Sequence, residues 1–465
     1  MPGLEPLIGA PDLVDVVEIE PEMFWYERDG EVALYQRAWE RVARLPVPKL
    51  VHGVGYAVGG TVCPAQLSLL RRCVDELGVA WASHHLAFNW FGEPARFSGF
   101  LLPPRQTDDG VRAAASSIRA FAAAMPCPVA IETGVNYLRP RADELLDGEF
   151  VARVCRAADC GLLLDLHNLW ANQQNGRDSI DAYLAALPLD RVIEVHIAGG
   201  FALDGYWLDA HSGPPPDALF DVLADVLPCL PAVRAVCFEV LAPFVPRVGI
   251  DGVGAVLERI RRVWSRPRGR VSTVTRTCTP VTGPSAEAWE HALGSLAIGE
   301  PPSTPLARAL ATDPAVGLLA KLVMQGRAGM VTGALRLTVR LLVIALGPDA
   351  TFALLERFCR ASPPRPFASA ESEAFAAWLA GQELALPYLA DALAFDLASG
   401  RAESTGEPVE VTLSIDPRVL CEALGRGELP QGDPIRVVAT VTPGPTELAA
   451  PDFRDGVADS NAPGV

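Results

Sequence analysis

The stretch LLLDLHNLW, residues 162–170, runs three leucines into Asp165, His167 and Asn168. Consecutive leucines read as a strand buried on both faces, as in a parallel sheet. A carboxylate, an imidazole and an amide at the end of such a strand are costly to bury unless something pairs with them. The pattern recurs. VDVVEIE (14–20), PKLVHGVG (48–55), VAWASHHLAF (79–88), PVAIETG (128–134), RVIEVHIAGG (191–200) and VRAVCFEV (233–240) are also apolar runs carrying polar residues at or near their ends. Between them lie helical patterns such as VALYQRAWERVARL, PAQLSLLRRCVDELG, VRAAASSIRAFAAAM and PDALFDVLADVL. Strands alternating with helices predict a parallel α/β sheet.

The spacing narrows the fold. Glu20, His52, His85, Glu132, Asp165, His196 and Glu239 mark the strand ends, with gaps of 32, 33, 47, 33, 31 and 43 residues. A βα unit of roughly 30 residues, repeated this often, predicts a TIM (β/α)8-type barrel. The longest gap holds a Pro/Gly-rich insertion, NWFGEPARFSGFLLPPRQTDDG. The gap after His196, with YWLDAHSGPPPD, is where a short eighth strand is expected. A doubly wound sheet is the alternative fold, but no GxGxxG follows the first strand.

The 465 residues exceed one ordinary core. The expected domains are a barrel over 1–265, a linker over 266–304 containing SRPRGRVSTVTRTCTPVTGPS, a mainly helical domain with a small β part over 305–445, and a disordered tail over 446–465. Half of the residues are hydrophobic, a fifth are charged and the net charge is −17. Such a chain lacks the clustered Lys and Arg of a nucleic-acid or anionic-membrane footprint. LRLTVRLLVIALG is interrupted by Arg336 and Arg340 and is too short to span a bilayer. MPGLEPLIGAPDLVDVV has no signal-peptide pattern. The ten cysteines form no CxxC pair and read as reduced thiols of a cytoplasmic protein.

Six of the seven histidines fall in the barrel segment. They are His52, His84, His85, His167, His196 and His211, and the carboxylates Glu132, Asp165, Asp209 and Glu239 accompany them. In a parallel barrel, strand C-termini converge on one mouth. Four carboxylates gathered there would repel, and divalent cations remove that cost. Mixed His and carboxylate ligands suit iron, manganese or zinc. A lone strand-end His is more often a hydrogen-bonded core residue, but nine candidate donors point to two or three metals. Adjacent residues on a strand face opposite ways, so only one of His84 and His85 faces the mouth, and His85 is the choice. His167, two residues beyond Asp165 on an extended run, is expected on the same face as Asp165. His291, in AEAWEHALGSL, reads as a surface helix residue.

Seven segments, taken in order over residues 4–265, resemble the multinuclear non-haem iron-dependent oxidative enzymes (MNIO), the family of the methanobactin biosynthesis oxidase. HGVGYAVGG is similar to that family's HGVGLSLGS, and SHHLAF to its S-D/E-H-L-x-W. FLLPPRQT is similar to LLPLPYT, and IETGVNYL to E-N-x-x-x-Y. LLLDLHN, EVHIAGG and LDAHSGPPPDALFDVL resemble LLLD-x-N/H-N, E-V-H-L-A-G-H and D-T-H-x-x-P-V-P-D-x-V-W. The resemblance implies two to three irons, Fe(II)/Fe(III), ligated by His52, His85, Glu132, Asp165, His196, Asp209, His211 and Glu239. His167, where members carry Asn or His, is implied to hold a third iron, and Asn168 to orient a ligand. There are departures. His84 replaces an acidic residue, Thr133 an Asn, Gly200 the second His of HLAGH, Met23 an early Asn (with the acidic Glu18 retained before it), and Leu241 an Asp.

The C-terminal half, through RLTVRLLVIALGPDATFALLERF and LPYLADALAFD, is similar to the helical partner proteins of these oxidases. The implied protein is an oxidase fused to its partner, with no separate partner protein. It would use O2 to modify a residue, usually Cys, of a ribosomally synthesised precursor peptide (RiPP biosynthesis). The β runs VEVTLSID and PIRVVATV suit strand addition by an extended peptide or, equally, a small structural hairpin. Two other classes remain. One is a different divalent-metal TIM-barrel enzyme, a sugar isomerase or phosphodiesterase-like hydrolase. The other is a metal-dependent binding or scaffold protein.

Overall fold

The computed structural model of the chain describes residues 4–8, 13–60, 62, 64–265 and 280–444. Seven parallel strands follow one another in sequence order: β1 (Val17–Ile19), β2 (Lys49–Gly53), β3 (Ala82–His85), β4 (Val129–Glu132), β5 (Gly161–Asp165), β6 (Val192–Ala198) and β7 (Ala235–Glu239). Helices such as Pro64–Leu77, Asp108–Ala124 and Asp147–Ala158 connect them. The sheet rolls up, because Glu18 on β1 reaches within 3.0 Å of His196 on β6. The result is a near-closed TIM-type barrel. β6 is buried along nearly its whole length, as expected of a strand covered on both faces.

The gap after His196 contains no eighth barrel strand. Phe201–Leu203 and Tyr206–Leu208 pair with each other as an antiparallel hairpin. The reason is local. Asp204 and Gly205 both take left-handed backbone conformations, φ 51° and 83°, and a D-G pair of this kind closes a two-residue hairpin turn. The same device, Asp29-Gly30 at φ 52° and 81°, joins Trp25–Arg28 to Glu31–Leu34. The helix expected across VALYQRAWERVARL is therefore shorter, Gln36–Ala43. A third hairpin, Phe88–Phe91 with Arg96–Leu102, fills the Pro/Gly-rich insertion.

The chain divides into two compact units, one of Met1–Trp25 with Ala38–Gly326 and one of Tyr26–Arg37 with Arg327–Val465. The expected linker over 266–304 needs correction. Residues 266–279 lie outside the described residues, as does the expected tail over 446–465. Ala286–Ala297, however, is a helix of the barrel unit, and so is the chain up to Gly326. Trp289, Leu293 and Leu296 bury one face of that helix in a cluster with Phe88, Phe91 and Leu102. His291 lies on its exposed side.

In the second unit, helices Arg336–Leu346, Pro348–Ala361, Ala368–Ala380 and Leu389–Thr405 accompany an antiparallel pair, Val409–Leu413 with Val437–Val441. The LPYLADALAFD motif has structural work here. Asp396 accepts from the backbone N–H groups of Leu337 and Thr338 at the start of Arg336–Leu346, at 3.2 and 2.8 Å. Asp391 accepts from the Ser414 hydroxyl at 2.7 Å, just past the first β strand. Among the described residues, no single helix is long and apolar enough to cross a membrane, and eight cysteines are free thiols.

Candidate metal centre

Parallel register sets the site. His85 on β3 pairs with Glu132 on β4, His196 on β6 with Asp165 on β5, and Ala198 on β6 with Glu239 on β7. Their side chains meet inside the barrel. Nε2 of His52 lies 3.0 Å from Nε2 of His85 and 3.2 Å from Oε2 of Glu132, which also contacts Nδ1 of His85. Nδ1 of His196 lies 3.7 Å from Oε1 of Glu132 and 3.0 Å from Oε2 of Glu239. Two groups result at the mouth, His52–His85–Glu132 and Glu132–Asp165–His196–Glu239, each with donor atoms close enough to share one ion, and Glu18–Glu194–His196–Cys237 beneath them has donor atoms equally close. Glu132 belongs to both mouth groups.

The donors fit a metal. Glu132 Oε2, Asp165 Oδ2, Glu239 Oε2 and both nitrogens of His196 are buried and lack a hydrogen-bond partner. Unsatisfied buried lone pairs are expensive. Donor atoms about 3 Å apart match ligands each about 2.1 Å from a common ion. Electrostatics agree. Burial pushes Asp165 well above the usual carboxylate range, and repulsion from Asp209, Glu132 and Glu239 adds to it. Burial opposes a charged His52, yet Glu132 and Glu18 raise its pKa to about 10. A cation removes the repulsion among the carboxylates.

Local structure explains the opening stretch. The chain turns into the helix Leu166–Gln174 directly after Asp165. Asp165 caps that helix, accepting from Asn168 N–H at 2.8 Å through Oδ1. Its other oxygen is left for the centre. Asn168 donates to Thr133 O at 3.0 Å and points at Glu132 Oε1, 3.4 Å away. His167 is thus in a first helical turn and not on an extended run, because the cap ends the strand at Asp165. It still reaches the mouth. Its Nδ1 lies 3.0 Å from Asp209 Oδ1, and His211 Nε2 lies 2.9 Å from the same oxygen. This third group, His167–Asp209–His211, sits beside the second through Glu239, 3.6 Å from His211 Nε2. His211 holds a left-handed backbone, φ 43°, unusual outside glycine and costly unless the site requires it.

His84 faces away from this cluster. It is fully buried, accepts from Tyr56 N–H at 3.2 Å and lies 3.8 Å from Glu22. Burial pushes its pKa down to about 4, so the ring is neutral. The sequence reading noted Glu18 only as a retained acidic residue before Met23, and missed Glu194 and Trp207. Glu18 and Glu194 lie two residues before a strand-end residue, the spacing that puts side chains on one face. A cavity of about 100 Å³ opens beside the centre, with His85, Asn168 and Asp209 on one side and Phe100, Val135 and Tyr137 on the other. The Tyr137 hydroxyl accepts from Asp209 N–H at 3.1 Å and pins that loop.

A seven-stranded parallel barrel whose carboxyl ends gather histidines and carboxylates around shared donor atoms is a TIM-type barrel with a candidate multinuclear metal mouth. The chain belongs to the family of the RiPP precursor modification enzyme MbnB/TglH/ChrH, whose model matches residues 4–242. It is 31% identical over 226 residues to a UPF0276 protein of Streptomyces avermitilis, covering 46% of this chain and 46% of that protein. The chain therefore spans less than half the length of that relative. A UPF0276 protein of Chromobacterium violaceum is 32% identical over 230 residues, 47% of this chain and 81% of the relative. Among solved structures, the IOLI protein with a bound zinc atom aligns at TM-score 0.36 and 13% identity over 54% of this chain and 88% of its own. D-psicose 3-epimerase aligns at 0.33 and 12%, over 56% and 91%.

Proposed function

We propose that the chain is an iron- and O2-dependent oxidase of the cytoplasm that modifies a residue, in the first instance Cys, of a ribosomally synthesised precursor peptide. The observation that carries this is Glu132, a buried carboxylate that belongs to two donor groups and has an oxygen with no hydrogen-bond partner. His52, His85 and one Glu132 oxygen would hold one iron. Asp165, His196, Glu239 and the other Glu132 oxygen would hold a second, with His167, Asp209 and His211 as a third position. Iron bound there supplies redox chemistry with dioxygen and a soft-ligand position for a thiolate. The chain's own residues do the rest. Asp165 is fixed by its cap, Asn168 steadies Glu132, and Phe100, Val135 and Tyr137 wall the cavity against water. That cavity admits about one small side chain. In the same reading the C-terminal helical unit, with its β pair, is the fused partner that binds the precursor.

The test uses the full chain purified without oxygen. Elemental analysis is expected to find two to three irons, and oxygen uptake is expected only with a short Cys-containing precursor peptide. A single zinc or manganese and no oxygen uptake would turn the reading toward an isomerase or hydrolase. Peptide binding that survives loss of every metal, without turnover in the loaded protein, would turn it toward a scaffold.

A further inference from the structure

Beneath the shared Glu132 the barrel interior holds a second polar layer: Glu18 on β1, Glu194 on β6 and Cys237 on β7. His196 lies between the layers, with no exposed surface. Its Nδ1 faces upward, toward Glu239 and Glu132. Its Nε2 faces downward, 3.0 Å from Glu18 Oε1 and 3.8 Å from Glu194 Oε1. A neutral imidazole that gives one lone pair to a cation carries its proton on the other nitrogen. Here the other nitrogen meets carboxylates.

The lower layer is built as a hydrogen-bonded floor and not as a further ligand set. Glu194 Oε2 accepts from the Trp81 indole at 2.7 Å, and its Oε1 accepts from the Cys237 thiol at 3.3 Å. Both oxygens already hold donors, and the thiol still carries its proton. Glu18 differs. Its Oε2 has no partner, and Oε1 is turned to His196. The parity of the strands enforces this: Glu194 and His196 are two apart on β6 and share the inward face.

We propose that Glu18 is a positioning residue of the metal centre. Its Oε1, 3.0 Å from Nε2, would take the Nε2–H once an ion aligns the ring, and so present Nδ1 to the ion shared with Glu132, Asp165 and Glu239. As a carboxylate, Glu18 would also strengthen Nδ1 as a donor, as carboxylates behind metal-bound histidines do. Glu194, anchored by Trp81 and Cys237, lies 3.8 Å from Nε2 and adds a second carboxylate beneath the ring. The inference rests on the reading that the Glu132 groups hold metal.

The experiment titrates the metal-free full chain with Co(II) and with Fe(II) under nitrogen, following the Co(II) visible bands and the affinity of each step. Glu18→Gln keeps the size and removes the charge. One binding step is expected to weaken by about 10–100-fold with shifted Co(II) bands, while the step assigned to His52–His85–Glu132 stays within about twofold. Glu18→Asp, which restores charge at shorter reach, is expected to fall between the two. Unchanged affinities and bands in Glu18→Gln would overturn the proposal. So would loss of a whole ion additional to those of the two Glu132 groups, since Glu18 would then be a ligand. A wild-type chain that takes up no divalent metal would instead overturn the functional reading, and that result is distinct from either.

Discussion

The indole N–H of Trp207 donates to Nε2 of His167 at 3.1 Å, while Nδ1 of the same ring lies 3.0 Å from Asp209 Oδ1. An imidazole nitrogen that accepts a hydrogen bond carries no proton, so the proton of a neutral ring sits on Nδ1 and points at Asp209. A metal at the third group has to displace that proton. Glu132 serves two groups at once, whereas the third group shares no such bridging carboxylate, so a stepwise Fe(II) titration is expected to fill the third position last. Trp207→Phe releases Nε2 to take the proton and tightens that step. His167→Ala abolishes it and leaves two ions. A Trp207→Phe protein whose third step is unchanged would show that the indole does not govern the site.

Glu132 is shared, and His52 is not. Glu132→Ala is expected to lower bound metal by about two ions per chain, and His52→Ala by about one. Elemental analysis of both variants, purified side by side, separates a bridging carboxylate from an ordinary ligand. Equal losses would remove the bridge.

His167 fits because residue 200 has no side chain. A Cβ on Gly200 would stand 2.1 Å from Leu208 O and 2.7 Å from His167 Nε2. The backbone contact cannot yield as a side chain does. Gly200→Ala is expected to cost about 1–3 kcal/mol of stability in denaturant unfolding, the usual range for overpacking, and to weaken the third metal step.

A fragment ending at residue 265 keeps every candidate ligand but loses the helix Ala286–Ala297. Phe88, Phe91 and Leu102 then lose their cover of Trp289, Leu293 and Leu296. Each such side chain is worth about 1.5–3 kcal/mol when buried. The fragment is expected to aggregate or melt well below the full chain in thermal unfolding. A fragment of 1–265 as stable as the whole would show the helix to be dispensable.

Asp396→Ala tests the second unit by itself. It removes the acceptor for Leu337 and Thr338 N–H, a helix cap worth about 1–2 kcal/mol. Burial raises Asp396 to about 6, against those N–H groups, from an ordinary 3.8. The folded state thus holds the proton more tightly than the unfolded chain. The resulting stability is complete below about pH 4 and is lost as the pH rises through about 6. The gap between wild type and variant is expected to widen as the pH falls from 7 to 5, measured by denaturant unfolding. Iron content should not change.

Much of this protein was legible in its amino acids. Apolar runs closed by polar residues at a spacing of roughly 30 are a local signal, written by the period of strand and helix, and all seven runs form the barrel strands. The order of the strands follows, because consecutive parallel strands with helical crossovers pack beside one another. That only one of His84 and His85 faces the mouth follows from alternation along a strand. The D-G hairpins at 204–205 and 29–30 were also legible, as turn signals, but they went unused, and an eighth strand was expected in YWLDAHSGPPPD just after the first. What the tertiary structure decided is which side chains meet. Parallel register put His196 opposite Asp165, and curvature brought Glu18 from the first strand to the sixth. Neither is encoded in any local stretch. The cap at Asp165 turned His167 into a helix, and the Trp207 hairpin then chose its proton. Local patterns set secondary structure because they depend on neighbours in sequence. Donor groups and tautomers depend on neighbours in space, which exist only once the barrel has closed.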